Sequence, residues 1–163
     1  MILQYFKKKE NKEQIIAAKQ YKKIISESNI FLNENNFFKE RNYKTSFEIV
    51  SIFLIMFIRR NLLEFNRSLY LKVNDKLISL FISDLDESLR AKGIGDISIG
   101  KYVKSYVKKF YFRVKKFPDD NNLYKNDSFM EYLKITDIIK NEHYVKVSRK
   151  FNHKFVEFIN SSN

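Results

Sequence analysis

Across 163 residues this chain holds only three glycines and one proline. These are the residues that most often interrupt helices and strands and open turns. The three glycines, Gly93, Gly95 and Gly100, sit close together, and Pro118 follows them at some distance. The rest of the chain must be built from long uninterrupted segments. That favours helices over a turn-rich β fold, and the apolar spacing agrees. The expectation is an all-α fold, a single compact domain of about six helices with no significant sheet. Hydrophobic residues make up 44% and aromatics 16% of the chain, enough for a packed core and unlike a disordered chain.

Residues 1–14 read as a polar N-terminal segment and residues 15–160 as the helical domain. Ile15, Ala18, Tyr21, Ile24 and Ile25 place a first helix over 15–28. The stretch from Asn29 to Tyr43, rich in Asn and Phe, reads as a loop pinned by its aromatics. Thr45 and Glu48 form a T-x-x-E capping-box pattern ahead of the apolar run Ile49 to Ile58. A membrane span needs about 20 apolar residues. Glu48 and Arg59 bracket too few, so the run reads as a central buried helix or as an apolar client-binding helix. In the second case Phe47, Phe53, Met56 and Phe57 are the candidate client surface.

A third helix is expected from about Asn74 to Lys92, with Leu77, Phe81, Leu85 and Leu89 on one face. Gly93 stands where a helix-ending glycine belongs. Asp96 or Ser98 can cap the next helix, read over roughly Ile99–Phe117 and closed by Pro118 and the run Asp119–Asn122. Ile99, Val103, Tyr106, Phe110 and Val114 form its apolar stripe. Two more helices fill Ser128 to Ile159, with a break near Asn141. Phe129, Tyr132, Leu133 and Ile135 serve the first, and Tyr144, Val147, Phe151, Phe155 and Phe158 the second.

The net charge is +12. A surplus of this size fits an anionic partner such as nucleic acid or an acidic membrane surface. It also fits plain composition, since the chain is heavy in Lys, Asn, Ile, Phe and Tyr and poor in Ala. Clustering is more telling than the sum. At about 100° per residue, Lys101, Lys104, Lys108 and Lys115 share one narrow arc opposite the apolar stripe, flanked by Lys109 and Lys116. No acid occurs between Lys101 and Phe117. A solvated face normally mixes signs, so this arc reads either as anion-facing or as simply exposed. No exposed aromatic is expected among the lysines, so base-specific recognition is not favoured. Arg113 falls at the edge of the apolar side, and Asp84 is placed likewise on the third helix. A buried charge needs a partner. Pairing of Arg113 with Asp84 or Asp96 across the glycine corner is therefore expected.

Catalytic and metal chemistry find no support. There is no cysteine, which excludes disulfides and thiolate sites. His143 and His153 lack metal-ligand spacing. Asp84, Asp86 and Glu87 lie mid-helix without the glycine of a calcium loop. The run GIGDISIG follows a helix rather than a strand, unlike a dinucleotide fingerprint. We expect no enzyme, no metal and no cofactor. The N-terminus lacks an apolar segment with a small-residue cleavage site, and it carries acids early. Neither a secretory signal nor a transit peptide is therefore expected. A cytoplasmic location is expected, peripheral at the inner face of the membrane, or the mitochondrial matrix in a eukaryote.

The run LFISDLDESLRAKGIGDISIGKYVKSYVKKFYFR, Leu80 to Arg113, resembles the signature of the ubiquinol-cytochrome c chaperone family. The matching positions are Asp84 and Asp86, Ser88-Leu89-Arg90, Gly93-Ile94-Gly95-Asp96 and Gly100-Lys101. Phe110, Tyr111 and Arg113 match the family's aromatic pair and basic residue. Upstream, SFEIVSIFLIMFIRR, Ser46 to Arg60, resembles its phenylalanine-glutamate start and double-arginine end. Phe112 departs from the pattern, where a small residue is usual, and puts tight packing there in question. The resemblance implies a non-catalytic assembly chaperone for ubiquinol–cytochrome c reductase, complex III. The implied client is newly synthesised cytochrome b, or complex III intermediates containing it. Ribosomal RNA or an anionic membrane surface, and a second assembly factor, are further implied partners. The alternatives are a small basic helical nucleic-acid-binding protein and an enzyme that acts on an anionic substrate.

Overall fold

A computed structural model describes residues 11–34, 36–118 and 126–160. The helices in chain order are α1 (Lys12–Glu34), α2 (Tyr43–Leu62), α3 (Arg67–Ala91), α4 (Asp96–Lys116), α5 (Asn126–Thr136) and α6 (Tyr144–Asn160). A 3-10 turn at Asn141–His143 precedes α6 and accounts for the expected break near Asn141. The described residues contain no strand, only one isolated antiparallel bridge between Phe38 and Ile139. The fold is all-α, as expected. The segment read over 1–14 lies mostly outside the described residues, and Lys12 already begins α1. The run Asp119–Asn122 also lies outside them.

The apolar run becomes the central helix, α2. It packs against α1, α3, α4 and α6. A helix apolar on all sides can satisfy every face only by being surrounded. Residues 51–57 are accordingly all buried. This corrects the client-surface reading: Phe47, Phe53, Met56 and Phe57 are core side chains, none more than 3% exposed. Phe53 touches Phe31 of α1 and Phe151 and Phe158 of α6, with ring centroids 6.0, 5.6 and 6.1 Å away.

The capping box is also corrected. Asn42 is the N-cap of α2, and its side chain accepts from the Thr45 amide at 3.1 Å. Thr45 turns its hydroxyl to the Glu40 carbonyl, and Glu48 points into the core. α1 runs six residues beyond its expected end because Phe31 stacks on Phe151 at 4.3 Å. Its buried stripe is Ala17, Gln20, Ile24, Ser28 and Phe31, rotated from the expected one, and Ile15 and Ala18 are exposed. α3 starts seven residues early, capped by Asn66, whose side chain accepts from the Leu69 amide at 3.1 Å. Gly95, not Asp96 or Ser98, occupies the N-cap of α4, with no side-chain cap. On α5, Ile135 faces outward while Phe129, Tyr132 and Leu133 are buried.

A buried amide chain sets the register of the first three helices. The Gln20 and Asn61 amides exchange hydrogen bonds at 2.9 Å. Asn61 also donates to Asn74 at 2.7 Å, and Asn74 donates to the Ile58 carbonyl at 3.2 Å. Sliding any of these helices by one turn would orphan buried amides, at about 1–3 kcal/mol each. The loop before α2 is pinned as expected, with Phe37 and Phe38 buried. It is tied to the link between α5 and α6: Lys39 N donates to Ile138 O and Lys140 N to Phe37 O, both at 2.9 Å.

Candidate functional site

The glycine corner joins α3 to α4. Gly93 takes φ +86. Its amide donates to Arg90 O at 2.8 Å, and the Ile94 amide donates to Leu89 O at 3.2 Å. This pair of bonds is a Schellman closure, which places a left-handed residue at the turn. Gly95 and Gly100 have no such requirement, and a Cβ at either would meet nothing within 4 Å. Two opposite outcomes are therefore expected. Gly93→Ala costs about 1–2 kcal/mol, the penalty for a left-handed alanine. Gly100→Ala, exposed inside a helix, stabilises by about 0.5–1 kcal/mol. Urea unfolding midpoints check both.

Four polar ties hold the corner and the neighbouring helices. Arg90 pairs with Asp86 on its own helix and with Asp96 at the start of α4, all three at the surface. These pairs raise the guanidinium pKa above its ordinary value, through the hydrogen bonds to Asp86 and then Asp96. Asp84 accepts from the Tyr21 hydroxyl at 2.8 Å and so joins α3 to α1. Arg113 does not reach Asp84 or Asp96, contrary to expectation. It donates twice to Glu48 of α2, from Nε at 2.8 Å and Nη2 at 2.7 Å, and Glu48 is 0% exposed. Burial works against the Arg113 charge, yet the Glu48 hydrogen bonds and charge outweigh it and raise the pKa. Lys109 adds a second cation at 2.8 Å from the same carboxylate. Arg59 completes the set, donating to Phe117 O at 3.2 Å and to Pro118 O, with its guanidinium 4.9 Å from the Phe117 ring centroid.

Sequence reasoning missed Glu48 because the T-x-x-E pattern gave it a local task. The available signal was a single acid leading an apolar run, in a chain with one arginine misplaced on an apolar face. Two lone opposite charges bound for the interior must meet.

Four phenols are held neutral, Tyr106 by burial alone. Burial, then the hydrogen bond to Asp84, pushes the Tyr21 phenol far above its ordinary value. Burial, then the charges near it, pushes Tyr43 to about 12. Burial, then the Glu48 charge, raises Tyr132. In the unfolded chain these phenols ionise near 10. Their contribution is therefore intact below pH 10 and is lost as pH rises toward and past 12. Alkaline unfolding should be steep, with tyrosinate absorbance appearing together with loss of helical circular dichroism. Phenol titration well ahead of unfolding would contradict this.

Lys101, Lys104, Lys108 and Lys115 are all exposed on α4. Among the described residues none of the four pairs with an acid. Lys109 does not share this face, since it is committed to Glu48 and lies over the Phe47 ring. The expectation of no exposed aromatics near the lysines is corrected: Tyr102, Tyr111 and Phe112 are about half exposed. Phe112 points outward, so its size creates no packing conflict. A second exposed apolar group lies where α2 turns into α3, with Leu62, Leu63 and Phe65, the last 106% exposed. Leu71 of α3 and Ile15 of α1 are exposed as well. A groove of about 370 Å³ between α1 and α3 is lined by Ile15, Ala17, Ala18, Lys76 and Leu80.

No helix among the described residues is long and apolar enough to cross a membrane. No group of three His, Cys, Asp or Glu among them could hold a metal.

Residues 38–119 match the family described as ubiquinol-cytochrome C chaperone, half of the chain. The chain belongs to the ubiquinol-cytochrome C chaperone family. No curated protein matches it in sequence. Among solved structures its fold is similar to that of the Cbp3 homolog from Brucella abortus. The TM-score is 0.73 at 20% identity, over 100% of this chain and 91% of that one. The ubiquinol-cytochrome C chaperone match runs from the pinned Phe38 loop through the α3–α4 corner and past Pro118. It therefore spans Glu48 and Arg113, Arg59 and its carbonyl partners, and Arg90 with both its aspartates. In this chain those motif residues are devoted to one another. They set how α2, α3 and α4 sit together.

Proposed function

We propose that the chain acts as a non-catalytic chaperone in complex III assembly, receiving newly synthesised cytochrome b or intermediates that contain it. Membership of the ubiquinol-cytochrome C chaperone family carries this reading. An apolar surface would receive the client and the basic face of α4 an anionic partner, either ribosomal RNA or a membrane surface. With Phe47, Phe53, Met56 and Phe57 in the core, the apolar surface moves to the α2–α3 turn. Leu63 and Phe65 stand out there, as an apolar client segment would require, and a separate groove with Ile15 and Leu80 opens between α1 and α3. A second assembly factor fits the same turn as an alternative occupant.

The test is deletion of the gene in its host. Haem-loaded cytochrome b and complex III activity are then measured, with another respiratory complex as control. Selective loss of complex III is expected, restored by the wild type and only weakly by Leu63→Ser with Phe65→Ser. Unchanged complex III would refute the reading and direct attention to nucleic-acid binding. Full rescue by the double variant would keep the chaperone and discard the α2–α3 turn as its client surface.

A further inference from the structure

The outward face of α4 combines two properties that are seldom found together on a solvated helix. Among the described residues its four lysines have no acidic partners, and apolar side chains stand among them. On the helical wheel Ile97 falls within the lysine arc, and Tyr111 and Phe112 lie on either side of it, an overall spread of roughly 100°. Ile97 is 102% exposed, at the start of the helix. Tyr111 and Phe112 are about half exposed near its end. The other side of α4 is already used: Ile99, Phe110 and Arg113 are buried against the body of the protein. The helix therefore presents an apolar row interleaved with cations, and its orientation is fixed by packing that this face does not share.

We infer that this face of α4 docks flat on an anionic lipid surface, with the lysines at headgroup level and Ile97, Tyr111 and Phe112 below them. Each part of the face suits that partner. Long lysine stems reach up to phosphates while neighbouring apolar groups sink to the acyl boundary. An aromatic with a polar tip, such as Tyr111, belongs at that depth. Nucleic acid fits less well. An exposed isoleucine offers a phosphate backbone nothing, and the arc contains only lysine, without the arginine fork that phosphate recognition favours. The inference rests on the chaperone reading and deepens it by naming the anionic partner of the basic face. Its test uses no client, so its failure leaves complex III assembly unaffected.

The protein has no tryptophan, so Ile97→Trp makes a unique reporter. The full chain would be floated with phosphatidylcholine vesicles, with and without phosphatidylglycerol. Binding is expected only to the anionic vesicles, with a blue shift of the reporter and quenching by brominated acyl chains. Changing Lys101, Lys104 and Lys108 to Gln should cut partitioning about a hundredfold, at roughly fivefold per lysine. Phe112→Ser, which leaves the charge unchanged, should cut it several-fold. All these positions are exposed, and an unchanged melting temperature confirms folding. Three results would overturn the inference: no flotation with anionic vesicles, flotation with the reporter still in water, or displacement by single-stranded RNA with Phe112→Ser binding vesicles normally. The last would assign the face to nucleic acid.

Discussion

Glu48→Ala should destabilise the protein by about 3–5 kcal/mol, the usual cost of leaving one member of a buried ion pair alone. Arg113 would be left buried with two unanswered donors, whereas half-buried Lys109 can turn to water. Against a total stability of about 5–15 kcal/mol for a domain, that is a large share. The double variant Glu48→Leu with Arg113→Met should be much milder and can equal the wild type, because an apolar pair needs no desolvation repaid. Urea unfolding of the two variants and the wild type decides the matter. A loss below about 1 kcal/mol in Glu48→Ala would mean that water reaches the pair and that the two helices are held by packing alone.

Phe53→Ala should cost about 3–5 kcal/mol, through the lost transfer energy and the cavity left among Phe31, Phe151 and Phe158. The two ways of reading the central helix differ here. If Phe53 belongs to the core, any loss of complex III in cells tracks protein abundance. Growth at lower temperature then raises both together, and addition of the stabilising Gly100→Ala raises both in part. If Phe53 instead touches a client, activity falls while the protein stays abundant and folded. Immunoblotting beside complex III activity separates these outcomes, and the first is expected because the side chain is fully buried.

Much of the fold was legible in the chain itself. Helix number, the buried character of α2, the glycine closure at Gly93 and the outward lysine arc all follow from periods of three to four residues and from single-residue backbone chemistry. Such features depend on neighbours close in sequence. Helix ends were less legible. α1 and α3 run longer than their apolar stripes suggested, because the extra turns are stabilised by Phe31 against another helix and by Asn66 as a cap. The family signature was legible too, but not what its residues do.

The sequence alone determined the number of helices, the inward stripe of α3, the outward lysine arc of α4 and the absence of acids along it. Tertiary structure decided which charges meet, namely Glu48 with Arg113 and Arg90 with Asp86 and Asp96. It decided that Gln20, Asn61 and Asn74 share one amide chain, and that Phe53 is core rather than surface. The physical reason is range. Helix formation is governed by contacts within about one turn. A buried charge or amide is satisfied by whatever the packing brings within about 3 Å, and in this chain Arg113 finds its partner 65 residues away.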